Sequence, residues 1–197
     1  MSSFDEITSA IRRYQPQVIP EAERPERQAS VALILHPGGE SGTEILLIER
    51  AHREGDPWSG DMAFPGGRRQ TSDPTLEHTA SRETHEEVGV KLPAALGGLD
   101  DIHGSRNPGI PPFLLRPYVY LVPERPQVTP NYEVQSTVWI PLNRIYDPES
   151  WTDYVVHFEE RQQRFPAFGY QGYTVWGLTF RVLRNFGALL DLELPES

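Results

Sequence analysis

The segment with the most potential for chemistry spans residues 66–90 and ends in a run of acidic side chains. Successive residues of an α-helix turn by about 100°, so Glu83 and Glu87 would project side by side, with Glu86 close to both. Neighbouring carboxylates repel one another, and a bound cation would offset that repulsion. Oxygen ligands favour Mg²⁺ or Mn²⁺. A solvated acidic helix face, paired with Arg82, is the alternative interpretation of the same pattern.

A glycine turn at 66–67 comes before this helix, and such a turn lets backbone groups approach a metal or a phosphate. The residues resemble the Nudix box, Gly-x5-Glu-x7-Arg-Glu-U-x-Glu-Glu-x-Gly-U, where U is aliphatic. Gly67 takes its first position and the run Arg-Glu-Thr-His-Glu-Glu-Val-Gly-Val at 82–90 takes its last part. The segments 46–50, 64–67 and 138–142 are also similar to this family.

Several features depart from the box and resemble one branch of the family. Asp73 stands where the pattern has Glu, the gap that follows is one residue longer, and Thr84 stands at an aliphatic position. The longer gap, Phe-Pro-Gly-Gly at 64–67 and Trp-Gly-Leu-Thr at 176–179 resemble the coenzyme A pyrophosphatase-like branch. Ala51 and Gln70 depart from that branch, as does one residue inserted upstream of the lead-in.

The resemblance implies hydrolysis of a phosphoanhydride in a nucleoside diphosphate linked to another moiety. Coenzyme A or its thioesters are the first candidates. ADP-ribose, a dinucleotide or a nucleoside triphosphate would use the same chemistry. A non-catalytic ligand sensor with a Nudix fold is a third hypothesis, although a sensor would be expected to lose box carboxylates that this chain retains.

The same resemblance assigns roles within the box. It implies that the metal, Mg²⁺ or Mn²⁺, is held mainly by Glu83 and Glu87, with support from Glu86. A carbonyl of the glycine turn, from Gly67 or its neighbour, is the further ligand. Arg82 is expected to orient the carboxylates through a charge-assisted hydrogen bond, or else to be an exposed helix arginine.

Other site predictions concern residues around the box. Glu133, just before a predicted strand, is a candidate general base. Phe64 is a candidate for stacking on an adenine, or else packs beneath its loop, and Trp176 is expected in the core. The candidate phosphate-binding residues are Arg50, Arg68 and Arg69, for which surface positions are the alternative.

Hydrophobic periodicity predicts the elements that would position these residues. A β-hairpin is expected from Ala29–His36 and Glu44–Arg50, and the box helix from Thr75–Val88. The other predicted elements are a helix over Ser3–Tyr14, strands over Leu114–Val122 and Val134–Ile140, and a strand followed by a helix over Tyr173–Leu192. This order predicts an α+β fold with a mixed sheet between helices, and the family resemblance implies a Nudix-like α/β/α sandwich. Residues 1–28 would form an N-terminal helix and linker, and 29–197 the Nudix domain.

Composition narrows the possible functions further. The chain has 197 residues, a net charge of −10 and no Cys. The negative charge argues against a nucleic-acid polymer or an anionic membrane as a partner, and the absence of Cys excludes thiol chemistry. No apolar run reaches the roughly 18 residues of a membrane span, and the N-terminal residues do not form a secretory signal. We therefore expect a cytoplasmic protein, and the resemblance implies a small nucleotide-derived substrate, bound by either a monomer or a homodimer.

Overall fold

A computed structural model describes residues 4–38, 42–55, 58–104, 111–158 and 161–195. Its helices are α1 (Phe4–Arg13), α2 (Leu76–Val88), α3 (Leu142–Ile145) and α4 (Gly177–Ala188). Its strands are β1 (Arg27–His36), β2 (Glu44–Arg50), β3 (Met62–Ala63), β4 (Gly66–Arg68), β5 (Gly97–Gly98), β6 (Ile102–Gly104), β7 (Phe113–Leu121), β8 (Val134–Pro141), β9 (Trp151–Phe158), β10 (Arg161–Tyr170) and β11 (Tyr173–Trp176). None of the described helices is long and apolar enough to cross a membrane.

The larger sheet is mixed and lies between helices. Its central path runs β3-β2-β1-β7-β5, with β4 on β1, β6 on β7 and β8 on β2. The β1–β7 pair is parallel and the other pairs are antiparallel. Alternate residues of β1 enter different cores: Leu33 packs with residues of α1 and α4, whereas Ile34 packs with Ala80 of α2. The predicted α+β sandwich is therefore confirmed.

Strands β1 and β2 separate after the hairpin, and the separation makes room for the site. The two strands pair only at Leu35–Ile45 and His36–Glu44. Beyond that point β3 pairs with β2, while β4 pairs with β1. The Phe-Pro-Gly-Gly segment therefore runs between the two diverging strands and presents its glycine turn to α2.

The second sheet was not predicted from the sequence. It has the strand order β11-β10-β9, and β9 and β10 form a hairpin. Its middle strand contains Pro166, a residue that usually argues against a central strand. The other predicted elements are present with small shifts at their ends. The predicted start of α1, Ser3, lies outside the described residues, and Ile7 and Ile11 of that helix are buried in the main core.

Candidate active site

The glycine turn, α2 and the start of α4 surround one cavity of about 880 Å³. The described residues that line it include the box residues Gly67, Glu83 and Glu87. Arg50, Arg68, Phe64 and Glu133, four more of the residues predicted for the site, line the same cavity. The fold thus brings together residues that lie up to 83 positions apart in the sequence, from Arg50 to Glu133.

Helix α2 is oriented by its buried stripe. Thr75 caps its first turn by accepting a hydrogen bond from the His78 N–H, and the helix ends at Val88 as predicted. Leu76, Ala80, Thr84 and Val88 are all buried. Thr84, which stands at the aliphatic position of the box, satisfies its hydroxyl by donating to the Ala80 carbonyl at 2.7 Å. With this stripe in the core, Glu83 and Glu87 face the glycine turn.

Glu87 is the most deeply buried carboxylate of the box. Its exposed fraction is 3%, and its Oε2 accepts a hydrogen bond from the Gly66 N–H at 2.8 Å. Burial raises the pKa of Glu87 to about 8, and the nearby charges of Glu83 and Glu133 act in the same direction. The Gly66 hydrogen bond and the positive charge of Arg50 oppose the rise in pKa only in part. Desolvation of the carboxylate therefore outweighs the opposing effects of Gly66 and Arg50 on its pKa.

The two glycines of the turn are required by close contacts. Gly66 has φ of +150°, and a Cβ there would lie 2.3 Å from the Ser30 carbonyl oxygen. A Cβ at Gly67 would lie 2.6 Å from Cδ of Glu83. The absence of both side chains lets the backbone of the turn lie directly against the box carboxylates.

Glu83 lies between the cavity and Arg82. Its pKa is raised by burial, while the ion pair with Arg82, 2.9 Å from Nη1 to Oε1, acts in the opposite direction. Glu86 is placed differently from its two neighbours. It is largely exposed, its Oε2 lies 3.1 Å from Nη1 of Arg82, and it is absent from the described residues that line the cavity.

Arg82 is fixed by Asp73, a residue that the sequence analysis treated only as a departure from the box. The Asp73 side chain is fully buried and accepts hydrogen bonds from Nε and Nη2 of Arg82 at 3.0 and 2.9 Å. Thr79 and the Gln70 N–H also donate to it. These contacts, led by the Arg82 hydrogen bond, hold the pKa of Asp73 well below its usual range. The position of Asp73, six residues after Gly67, was the feature of the sequence that could have indicated this role.

The donor chemistry of the site fits a hard divalent cation. Glu83 and Glu87 supply carboxylate oxygens, and the glycine turn brings peptide groups against them. Burial raises the pKa of both acids, and a bound cation would favour their ionised forms. Within the described ranges no three acidic or histidine side chains converge closely enough to hold a metal ion. Glu83 and Glu87 are the box carboxylates that line the cavity beside the glycine turn.

The predicted phosphate-binding arginines separate into two groups. Arg50 and Arg68 line the cavity, and the positive charge of Arg50 acts on Glu87. Arg69 points elsewhere, because its guanidinium donates to the carbonyl oxygens of Asp73 and Pro74 at 3.3–3.4 Å. Two further arginines, Arg27 and Arg53, also line the cavity.

Two aromatic residues, Phe64 and Trp176, also line the cavity. Phe64 is 3% exposed, so only its edge contributes to the cavity. Trp176 was expected in the core, but it is only half-buried and lines the cavity. It stacks on Tyr154 with the ring centroids 4.1 Å apart. Its indole Nε1 donates to Asp61 at 3.0 Å. The hairpin that the sequence did not predict carries Tyr154 and therefore supports Trp176 in the cavity lining.

A glycine turn set against helical carboxylates, beside a mixed sheet covered by helices, is the arrangement that the Nudix box predicts. The profile described as NUDIX domain matches residues 25–159, and the chain belongs to the Nudix hydrolase family. An uncharacterised Nudix hydrolase named NudL, from Pectobacterium atrosepticum, is 31% identical over 91% of this chain and 92% of its own length.

Two further similarities extend this comparison. An uncharacterised protein of Schizosaccharomyces pombe is 37% identical over 72% of this chain, and the match spans about half (49%) of that protein. The crystal structure of a MutT/nudix family protein from Enterococcus faecalis gives a TM-score of 0.58 at 20% identity, covering 96% of this chain and 70% of the other. This structural similarity supports the fold alone.

Proposed function

We propose that the protein hydrolyses the diphosphate of a nucleoside diphosphate linked to another moiety, with coenzyme A or its thioesters as the preferred substrates. The observation that carries the proposal is the cavity itself. Glu83 and Glu87 lie at the glycine turn, arginines line the cavity beside them, and a largely apolar wall completes it. A diphosphate needs the first two features, and an extended organic moiety needs the third.

The cation, Mg²⁺ or Mn²⁺, would be held by Glu83, Glu87 and a carbonyl of the glycine turn. When bound, it supplies charge neutralisation for the diphosphate and lowers the pKa of a water molecule. Arg82 holds Glu83 in place and is itself held by Asp73. Glu87 also secures the turn through its hydrogen bond to Gly66. Glu133 is proposed as the general base, because it lines the cavity and its charge acts on both box carboxylates.

Arginines in two parts of the cavity favour a substrate with more than one phosphate group. Arg50 lies near Glu87, where the diphosphate would sit. Arg27 and Arg68 are exposed at the paired strands β1 and β4, where Arg68 is paired with Ala29. In a chain with net charge −10, such arginines are well suited to a terminal phosphate, since the guanidinium binds phosphate through a planar fork. Coenzyme A carries a 3′-phosphate on its adenosine in addition to its diphosphate.

The apolar part of the cavity suits the remainder of that substrate. Leu178 and Val182 of α4, together with Leu115 of β7, line it alongside Trp176. The Trp-Gly-Leu-Thr segment at 176–179 lies entirely in the lining, which supports a substrate-binding role for a motif that the sequence analysis linked to the coenzyme A branch. An uncharged, extended arm would bury its apolar surface against these side chains.

The test compares kcat/KM for coenzyme A, 3′-dephospho-coenzyme A and ADP-ribose in Mg²⁺, with products identified by mass. We expect coenzyme A to be preferred and to give 3′,5′-ADP and 4′-phosphopantetheine. Arg68→Ala should remove the preference over 3′-dephospho-coenzyme A, whereas Arg69→Ala, whose side chain lies elsewhere, should retain it. Preference for ADP-ribose, with coenzyme A unhydrolysed, would contradict the substrate class and leave the metal site intact.

A further inference from the structure

An ion pair lines the cavity in addition to the box residues. Nη1 of Arg53 lies 3.0 Å from Oε1 of Glu133, and the side chains are 41% and 36% exposed. The Arg53 guanidinium also lies over the ring of Tyr132, 5.0 Å from its centroid. Both members of the pair line the cavity that contains Glu83 and Glu87.

The backbone around this pair is held more firmly than its side chains. The Arg53 N–H donates to Oγ of Ser59 at 2.6 Å, closing the loop on itself. The Ala51 N–H donates to the Glu133 carbonyl at 2.8 Å, which ties the loop to the start of β8. Exposed ion pairs contribute little net free energy. The guanidinium can therefore change partners without moving the backbone.

The position of Glu133 gives such an exchange a consequence. Glu133 lines the same cavity as Glu83 and Glu87, where the diphosphate would bind, and its negative charge acts on both carboxylates. A diphosphate entering this space brings negative charge towards Glu133 and offers Arg53 a stronger acceptor, since phosphate accepts charge-assisted hydrogen bonds from a guanidinium through two oxygens.

We propose that Arg53 exchanges partners during the reaction cycle, pairing with Glu133 in the free protein and with a phosphate oxygen of the bound diphosphate. The exchange couples diphosphate binding to release of the Glu133 carboxylate from its ion pair, within the cavity that both residues line. Arg53 is a substrate-binding residue in this scheme. The inference rests on the proposed function only for the diphosphate nature of the ligand.

The experiment is a double-mutant cycle on binding. The probe is α,β-methylene-ADP, whose phosphate bridge cannot be hydrolysed, titrated in Mg²⁺ by calorimetry. Arg53→Met should weaken binding about tenfold or more. Glu133→Gln should tighten binding several-fold, because it frees Arg53 for the phosphate. In the Arg53→Met background, Glu133→Gln should change the affinity by at most a third of that effect. The effects of substitutions at two interacting residues are not additive.

Controls separate an exchange from a merely structural ion pair. Arg164 and Asp153 form an exposed pair of similar length, 3.2 Å, on the β9–β10 hairpin. Arg164→Met should leave binding unchanged, and Arg53→Lys should recover part of the affinity lost in Arg53→Met.

Three outcomes would overturn the inference: equal weakening by Arg53→Met and Glu133→Gln, an equal effect of Glu133→Gln in both backgrounds, or no binding to the wild type. A positive cycle in a protein that hydrolyses no diphosphate would instead reject the proposed function and keep the exchange.

Discussion

Replacing Glu87 by Gln in metal-free protein measures directly how the buried carboxylate affects the free energy of unfolding. Gln keeps the shape of the side chain and retains an oxygen that can accept the hydrogen bond from Gly66. It removes the charge whose burial raises the pKa. We therefore expect the variant to be more stable than the wild type near neutral pH, although it would be a poor metal ligand.

The sign and size follow from linkage between protonation and folding. Below pH 4.5 Glu87 holds its proton in both states, and its contribution to native stability is fully present. In the unfolded chain Glu87 ionises at its ordinary value of 4.5, whereas the folded protein holds the proton up to about 8. The free energy of unfolding therefore falls as pH rises through this window, by about 1.4 kcal/mol per pH unit. Between pH 5 and 7 the loss is about 2–3 kcal/mol.

The assay is urea unfolding of wild type and Glu87→Gln at pH 5, 6 and 7 in EDTA. The difference in unfolding free energy should move in favour of the variant by about 2–3 kcal/mol from pH 5 to pH 7. Glu86→Gln is the matched control, because that carboxylate is largely exposed, and its curve should run parallel to the wild type. Parallel curves for Glu87→Gln as well would refute the buried, desolvated state of this residue.

The remaining predictions concern the surroundings of the cluster. Glu83→Gln should lower kcat at least about a hundredfold through lost metal binding. Glu77→Gln should change kcat little, because the Glu77 Oε1 accepts a hydrogen bond from the Ala95 N–H away from the cavity. Equal losses of kcat in a steady-state assay would show that the helix face is misassigned. Gly67→Ala should reduce kcat about tenfold or more, because the new Cβ would displace the Glu83 carboxylate. Unchanged turnover would mean that the close approach has no role. Asp73→Ala should lower the free energy of unfolding by about 3 kcal/mol, since it leaves the Arg82 side chain without its buried partner. A denaturation midpoint equal to that of the wild type would contradict this assignment.

The box helix could be predicted from the sequence because its signals agree. The i, i+4 stripe, the Thr75 cap and Gly89 beyond the last turn define one helix in one orientation, and the orientation places Glu83 beside Glu87. Local periodicity was enough for this, since side chains one turn apart share a face whatever surrounds them.

The ion-pair partners of individual side chains and the pairing of distant strands could not be predicted from the sequence in the same way. Glu86 follows the same spacing as its neighbours, yet it turns outward to Arg82, and spacing alone cannot rank competing partners. The central strand of the second sheet contains Pro166, and a proline argues against a central strand, so the sequence did not indicate the hairpin. Without that hairpin nothing indicated that Tyr154 would stack on Trp176 and keep it in the cavity wall. These contacts depend on tertiary structure.

The central claim is that diphosphate cleavage depends on a cation held by Glu83 and Glu87. The most direct measurement is the initial rate of diphosphate hydrolysis, with products identified by mass, for wild type and the Glu83→Gln/Glu87→Gln double variant, each in Mg²⁺ and in EDTA. We predict turnover only for the wild type in Mg²⁺, with activity lost in EDTA and restored by Mg²⁺ or Mn²⁺. Undiminished turnover in EDTA, or by the double variant, would contradict the account.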